Sequence, residues 1–156
     1  NTEISHVKPH GALNNMACEN IEIAITIGQT IKEFNKELIY VVLPLNQMEK
    51  AAKKININYA CEIFADRNYE DNGQLVSRNK NYALIEDPKI ASKNILEMLN
   101  SSSIKCFSGK RIKCNIDTIC IHGDGNKSVL IAKDIKNTLI HNGFNLLNLN
   151  NMTKFK

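Results

Sequence analysis

The chain has 156 residues, 43% hydrophobic and 23% charged, which are the proportions of a globular domain of ordinary size. A chain of this length buries ~70% of its unfolded surface, so a disordered tail, a collagen-like fibre and a disulfide miniprotein are excluded. The formal net charge of +4 is too mild and too scattered for a nucleic-acid footprint, and without Trp there is no strong stacking platform for bases.

In chain order, Ser5-His6-Val7 is a short extended run that ends in Lys8-Pro9-His10-Gly11. Ile21, Ile23, Ile25 and Ile27 alternate like a strand, yet Ile21, Ala24, Ile27, Ile31 and Phe34 also make a helical stripe. The continuing period over Gln29–Lys36 favours one helix from about Cys18 to Asn35. Leu38–Leu43 is a β-branched-rich run stopped by Pro44, the pattern of a strand covered on both faces. Asn46–Lys54 reads as a helix with Asn46 at its N-cap, and Ala60–Phe64 as a second strand. Pro88–Leu99 is a helix with Ala91, Ile95, Met98 and Leu99 on one face. Thr118–Ile121 is a third strand. Lys127–His141 is a helix with Val129, Ala132, Ile135 and Leu139 inward, ended by Gly143. Strands alternating with helices at this spacing imply an α/β fold with a parallel sheet. A single domain spanning 1–156 is expected, with a polar, Asn-rich tail over 148–156 that frays.

Cys18, Cys61, Cys106, Cys114 and Cys120 contain no C-x-x-C pair, so neither a zinc site nor a redox dithiol is signalled. Reduced, mostly buried thiols point to a reducing, cytoplasmic compartment. The most apolar stretch, Leu38–Leu45, is far too short to span a bilayer. The chain opens on Asn1 rather than Met, so an upstream part is expected.

The polar residues that look functional sit where strands end. Lys8 and His10 follow the first run; Asp66 and Arg67, then Arg78, follow the second strand; His122-Gly123-Asp124-Gly125 follows the third. In parallel α/β folds the C-terminal ends of strands share one face, and sites are built there. Lys8 and His10, two apart on extended backbone stiffened by Pro9, can face one ligand; a surface loop is the alternative. Asp66 and Arg67 read either as a structural ion pair or as an Arg fork for a carboxylate beside a base. The two glycines before a helix suit an anion, although a Gly-Asp-Gly turn is also an ordinary helix lead-in and the spacing is not that of a P-loop. His122 alone reads equally as a hydrogen-bonded core histidine.

Three stretches carry a resemblance. His6-Val-Lys-Pro-His-Gly-Ala-Leu13, then Glu62-Ile-Phe-Ala-Asp-Arg67 with Tyr69, Gly73, Leu75-Val76 and Arg78, then Thr118-Ile-Cys-Ile-His-Gly-Asp-Gly125 resemble, in order and spacing, the LamB/YcsF family. Asn14, Asn68 and Ser77 stand where that family usually has Tyr, Gly and Pro. The resemblance implies a parallel (β/α) barrel of the seven-stranded glycoside hydrolase/deacetylase-like type. A full barrel needs ~250 residues, so the chain would form a partial barrel lacking the N-terminal units. It also implies the role of the A subunit of an ATP-dependent 5-oxoprolinase. Such an enzyme opens the lactam of 5-oxo-L-proline to L-glutamate, with ATP as co-substrate and the B and C subunits of 5-oxoprolinase as partners. A metal site in related folds would draw on the upstream part, so no metal ligand is assigned.

For that chemistry the cations Lys8, Arg67 and Arg78, with Gly123 in the anion loop, are the expected substrate-binding residues. Asp66, His122 or Asp124 is the expected base, and His10 a donor to a developing oxyanion. A noncatalytic anion- or partner-binding remnant of the fold is the rival reading, and a plain nucleotide binder through the Gly-Asp-Gly turn ranks third.

Overall fold

The apolar run at Leu38–Leu43 has no polar face to offer water, and it becomes the middle strand of a parallel arrangement. In the computed structural model, which describes residues 3–156, strand β1 (His6–Val7) pairs in parallel with β2 (Ile39–Val42), and β2 in turn with β3 (Tyr59–Phe64). His6 stands opposite Ile39 and Tyr40 opposite Tyr59. The fold is α/β with parallel strands, as expected. The chain forms two compact units. One comprises the described residues through Glu62 together with Leu147–Lys156; the other is Ile63–Leu146. Strand β3 carries the chain from the first into the second.

In the first unit, helices α1 (Gly11–Glu19), α2 (Ile21–Phe34) and α3 (Gln47–Ile55) pack against one another. The single helix expected over Cys18–Asn35 is two helices. Asn20 leaves the helical region (φ −116°, ψ 115°), and its carboxamide oxygen accepts the Glu22 and Ile23 N–H groups at 2.9 and 3.1 Å. Those donors have no partner inside a helix that starts there, so the cap decides the break. The buried face of α2 is Ala24, Gly28 and Ile31, whereas Phe34, expected inward, is 79% exposed. A Cβ on Gly28 would lie 2.6 Å from the Ile55 methyl and 3.4 Å from the Tyr40 ring, so glycine permits this close approach.

Helix α3 is capped as expected, with the Asn46 side chain accepting the Met48 N–H at 2.8 Å. It ends on Asn56 in the left-handed region (φ 52°). Lys32 Nζ donates to the Ile55 and Asn56 carbonyls at 2.7 and 3.1 Å, satisfying acceptors that a helix end leaves over. The last residues form 3₁₀ turns at Leu149–Asn151 and Thr153–Phe155. The Lys154 ammonium lies 4.6 Å from the Tyr59 ring centroid, so residues expected to fray hold a cation–π contact.

The second unit contains α4 (Pro88–Ser101), the strands β4 (Ser103–Lys105), β5 (Arg111–Lys113) and β6 (Thr118–Cys120), and α5 (Ser128–His141). Asp87 caps α4 by accepting the Lys89 and Ile90 N–H groups, and Ala91, Ile95 and Met98 are buried. Helix α4 packs on α5, where Ser92 Oγ donates to Asp134 at 2.7 Å. The inward stripe of α5 is Ile131, Ile135 and Leu139, at a strict four-residue interval; Val129, expected inward, is 66% exposed. The antiparallel pair β4–β5 has no counterpart in the sequence pattern: its strands are three residues long and rich in Lys and Arg, too short for a periodic signal. The chain leaving β3 lies beside β6, with the Ala65 N–H donating to the Cys120 carbonyl at 3.0 Å. No disulfide joins the five cysteines, of which three are buried and two half-buried.

Candidate active site

The chain turns out of β3 immediately after Phe64, and the first charged side chain it presents is Asp66. That carboxylate grips His122 twice. The His122 backbone N–H donates to Asp66 Oδ2 at 3.0 Å, and the imidazole Nδ1 lies 2.8 and 3.0 Å from the two carboxylate oxygens. An ionised carboxylate can only accept, so against it Nδ1 carries the proton, and in the neutral ring Nε2 is the nitrogen left with a lone pair. The Phe64 ring stacks on the imidazole with centroids 5.4 Å apart and planes 21° from parallel. Both members of the pair are partly buried, which strengthens the contact relative to one in bulk water.

Asp66 and Arg67, adjacent in sequence, do not pair with each other in the way one sequence reading allowed. Arg67 is 7% exposed, and its Nη2 donates to the Val76 carbonyl at 2.5 Å. Its backbone bridges Leu84, so this residue ties both arms of the 67–84 loop. Burial, with Arg78 close by, pushes the Arg67 guanidinium below its usual range, opposed by Asp66 and Tyr69. Its Nε is buried without a partner. Arg78 is exposed and lies 4.0 Å from Asp124, itself largely in solvent. Gly123 is exposed, with open space where a Cβ would stand.

The first unit holds a second polar cluster. Lys8 Nζ meets Glu62 Oε2 at 2.5 Å, with the side chains 19% and 8% exposed. Sequence reasoning missed Glu62, although a lone carboxylate inside the apolar strand Tyr59–Phe64 is a visible anomaly. Pro9 is buried, and His10 stands exposed at the start of α1, without a side-chain cap. The structure therefore joins Asp66 to His122, Arg78 to Asp124 and Lys8 to Glu62, and leaves His10 and Gly123 open to solvent. Among the described residues, no group of three or more His, Cys, Asp or Glu side chains could hold a metal ion. No helix of the described residues is long and apolar enough to cross a membrane.

Comparison with known proteins places this geometry among relatives. The profile of the LamB/YcsF family matches residues 1–154. The chain is 42% identical over 137 residues to the 5-oxoprolinase A subunit of Clostridium beijerinckii, covering 88% of the chain and 54% of that protein. It is 39% identical over 147 residues to the 5-oxoprolinase A subunit of Staphylococcus aureus, covering 94% and 59%. Among solved structures, the lactam utilization protein of Thermus thermophilus superposes with a TM-score of 0.82 at 33% identity, over 90% of this chain and 56% of that one. The chain thus spans a little over half the length of the relatives it matches.

Proposed function

Because the chain belongs to the LamB/YcsF family, we propose that it supplies the acid–base centre of a hydrolytic, ATP-coupled lactam opening, in the role of a 5-oxoprolinase A subunit. The observation that carries this reading is the double grip of Asp66 on His122. The seven-stranded barrel, the substrate 5-oxo-L-proline, the co-substrate ATP, the B and C partner subunits, and a cytoplasmic setting all belong to the proposal. The names of the relatives support a multi-subunit 5-oxoprolinase acting on a lactam. The seven-stranded barrel, ATP and the B and C subunits rest on the resemblance of the three motifs, and the cytoplasmic setting on the cysteines, which no disulfide joins.

A lactam amide is a weak electrophile with a poor leaving group. Transfer of the γ-phosphoryl of ATP to the lactam oxygen gives an O-phosphorylated imidate and ADP. Water then adds to the former carbonyl carbon, and His122 Nε2 takes its proton. Asp66 holds the Nδ1–H and stabilises the imidazolium that forms, as the carboxylate of a catalytic triad does. The ring C–N bond breaks as nitrogen receives the proton from His122. A second water hydrolyses the resulting acyl phosphate, leaving L-glutamate and phosphate. Asp66 is in this reading a positioning residue and His122 the catalytic base.

Arg78, exposed beside Asp124, receives the substrate carboxylate in this reading. Arg67 is committed to the loop by its bond to Val76. His122→Gln should lower lactam-dependent ATP turnover in the assembled enzyme by at least ~100-fold, the range lost with a general base. Unchanged turnover in that variant would refute the assignment.

A further inference from the structure

Resting on that reading of His122 as the base, we propose that the buried hydroxyl of Tyr69 is a positioning device for the imidazole, acting through the loop that Tyr69 closes. Tyr69 is 2% exposed. Its phenol oxygen reaches back five residues and accepts the backbone N–H of Phe64 at 2.7 Å. Its own backbone is pinned elsewhere, by an antiparallel bridge to Leu75 and by the Phe107 N–H, which donates to its carbonyl at 2.8 Å.

The bond from Phe64 to Tyr69 therefore ties both ends of one short turn, and that turn carries the two groups that hold His122. Asp66 sets the tautomer and the in-plane direction of the ring. Phe64 sets the tilt of its plane. A carboxylate alone leaves the imidazole free to rock about the Nδ1–H···O axis; the stacked ring removes that freedom. Phenylalanine at position 69 could fill the same apolar space, so the hydroxyl is there for a polar task. Removing it takes an acceptor away from a buried N–H at the strand end. Arg67, Arg78 and Asp124 are the other charged groups the site places around this turn. Their side chains bond to the Val76 carbonyl and to each other rather than to the His122 ring.

The test is ¹⁵N NMR of the histidine-labelled chain at a pH where the imidazoles are neutral, with His122 assigned by its loss in His122→Gln. The parent chain should show His122 as the single Nδ1–H tautomer with a slowly exchanging ring proton. Tyr69→Phe should give mixed tautomers and exchange about tenfold faster, the factor expected for loss of roughly one hydrogen bond. Phe64→Leu, which keeps apolar bulk but removes the stack, should do the same and decides the matter should Tyr69→Phe fail to fold. In the assembled enzyme both variants should lower kcat about tenfold with KM nearly unchanged. Folded variants with parent-like tautomer and exchange would overturn the proposal, as would altered tautomers with unaltered kcat in an enzyme whose turnover His122→Gln abolishes. If instead His122→Gln retains full turnover while the tautomers shift, the assignment of the base fails and the positioning contact stands.

Discussion

Glu62 shows how much one residue can depend on its partner. It is a carboxylate on an otherwise apolar strand, and the Lys8 ammonium meets it at 2.5 Å in a nearly dry setting. Such a pair adds little over an apolar replacement, yet losing one member strands a buried charge. Lys8→Met should lower unfolding free energy by about 2–4 kcal/mol, somewhat less than a fully buried pair because Lys8 keeps some water. Urea denaturation measures it, and adding Glu62→Leu should regain most of the loss. A single variant as stable as the parent would show that the pair is idle. Asp66 illustrates the opposite case, since one carboxylate serves both a backbone N–H and an imidazole.

Among the elements, the entry to α3 concentrates the most local chemistry. Pro44 stops β2, Leu45 turns through the left-handed region (φ 68°), and Asn46 caps the helix. Glu49 then reaches back to accept the Leu45 N–H at 2.8 Å while pairing with Lys53 at 2.6 Å. Burial raises the Glu49 pKa, but the hydrogen bonds from Lys53 and Leu45 outweigh it, and the group ends below the usual carboxylate value. A depressed carboxylate contributes stability that is present above its unfolded pKa and lost as pH falls through the folded one. Stability should therefore decline as pH drops below about 4.5, the ordinary glutamate range, and Glu49→Gln should flatten part of that decline. Urea midpoints at pH 7 and pH 4 compare the two; parallel pH dependences would refute the role of Glu49.

For the whole molecule, the cysteines report which regions stay closed. Cys18 lies 3.6 Å from the Met48 sulfur, and burial, with Glu19 nearby, pushes its thiol up to about 11, against a hydrogen bond from Asn46. Cys106 is raised as well, mainly by burial and by Asp71. A thiol that is both buried and protonated is a poor nucleophile. At pH 8 an aromatic disulfide reagent should modify Cys114 and Cys120 first, with Cys18, Cys61 and Cys106 reacting only on unfolding. Mass spectrometry of the labelled peptides checks this. Early labelling of Cys18 would mean that the α1–α3 region opens readily.

The α/β class, the strands at 39–42, 59–64 and 118–120 and the helices after Asn46 and Asp87 were legible, because each rests on a local signal: an apolar run, a cap, a proline in the first turn. So were the three motif stretches that identify the family. The break at Asn20 was legible in principle, since a capping side chain stands there, but the apolar period runs across it without interruption. The inward face of α5 was legible at Ile135 and Leu139 but not at its N-terminal end, where Val129 and Ile131 compete and only packing against α4 selects Ile131. Sequence also named Asp66, His122, Arg67 and Lys8, yet could not say which of them meet. Their pairing joins residues 56 and 54 positions apart in the chain, and hydrogen bonds of that kind form only once strands are in register. Which nitrogen carries the proton, which arginine is tied to its loop and which tyrosine closes the turn are properties of distance and angle, and these the tertiary structure alone decides.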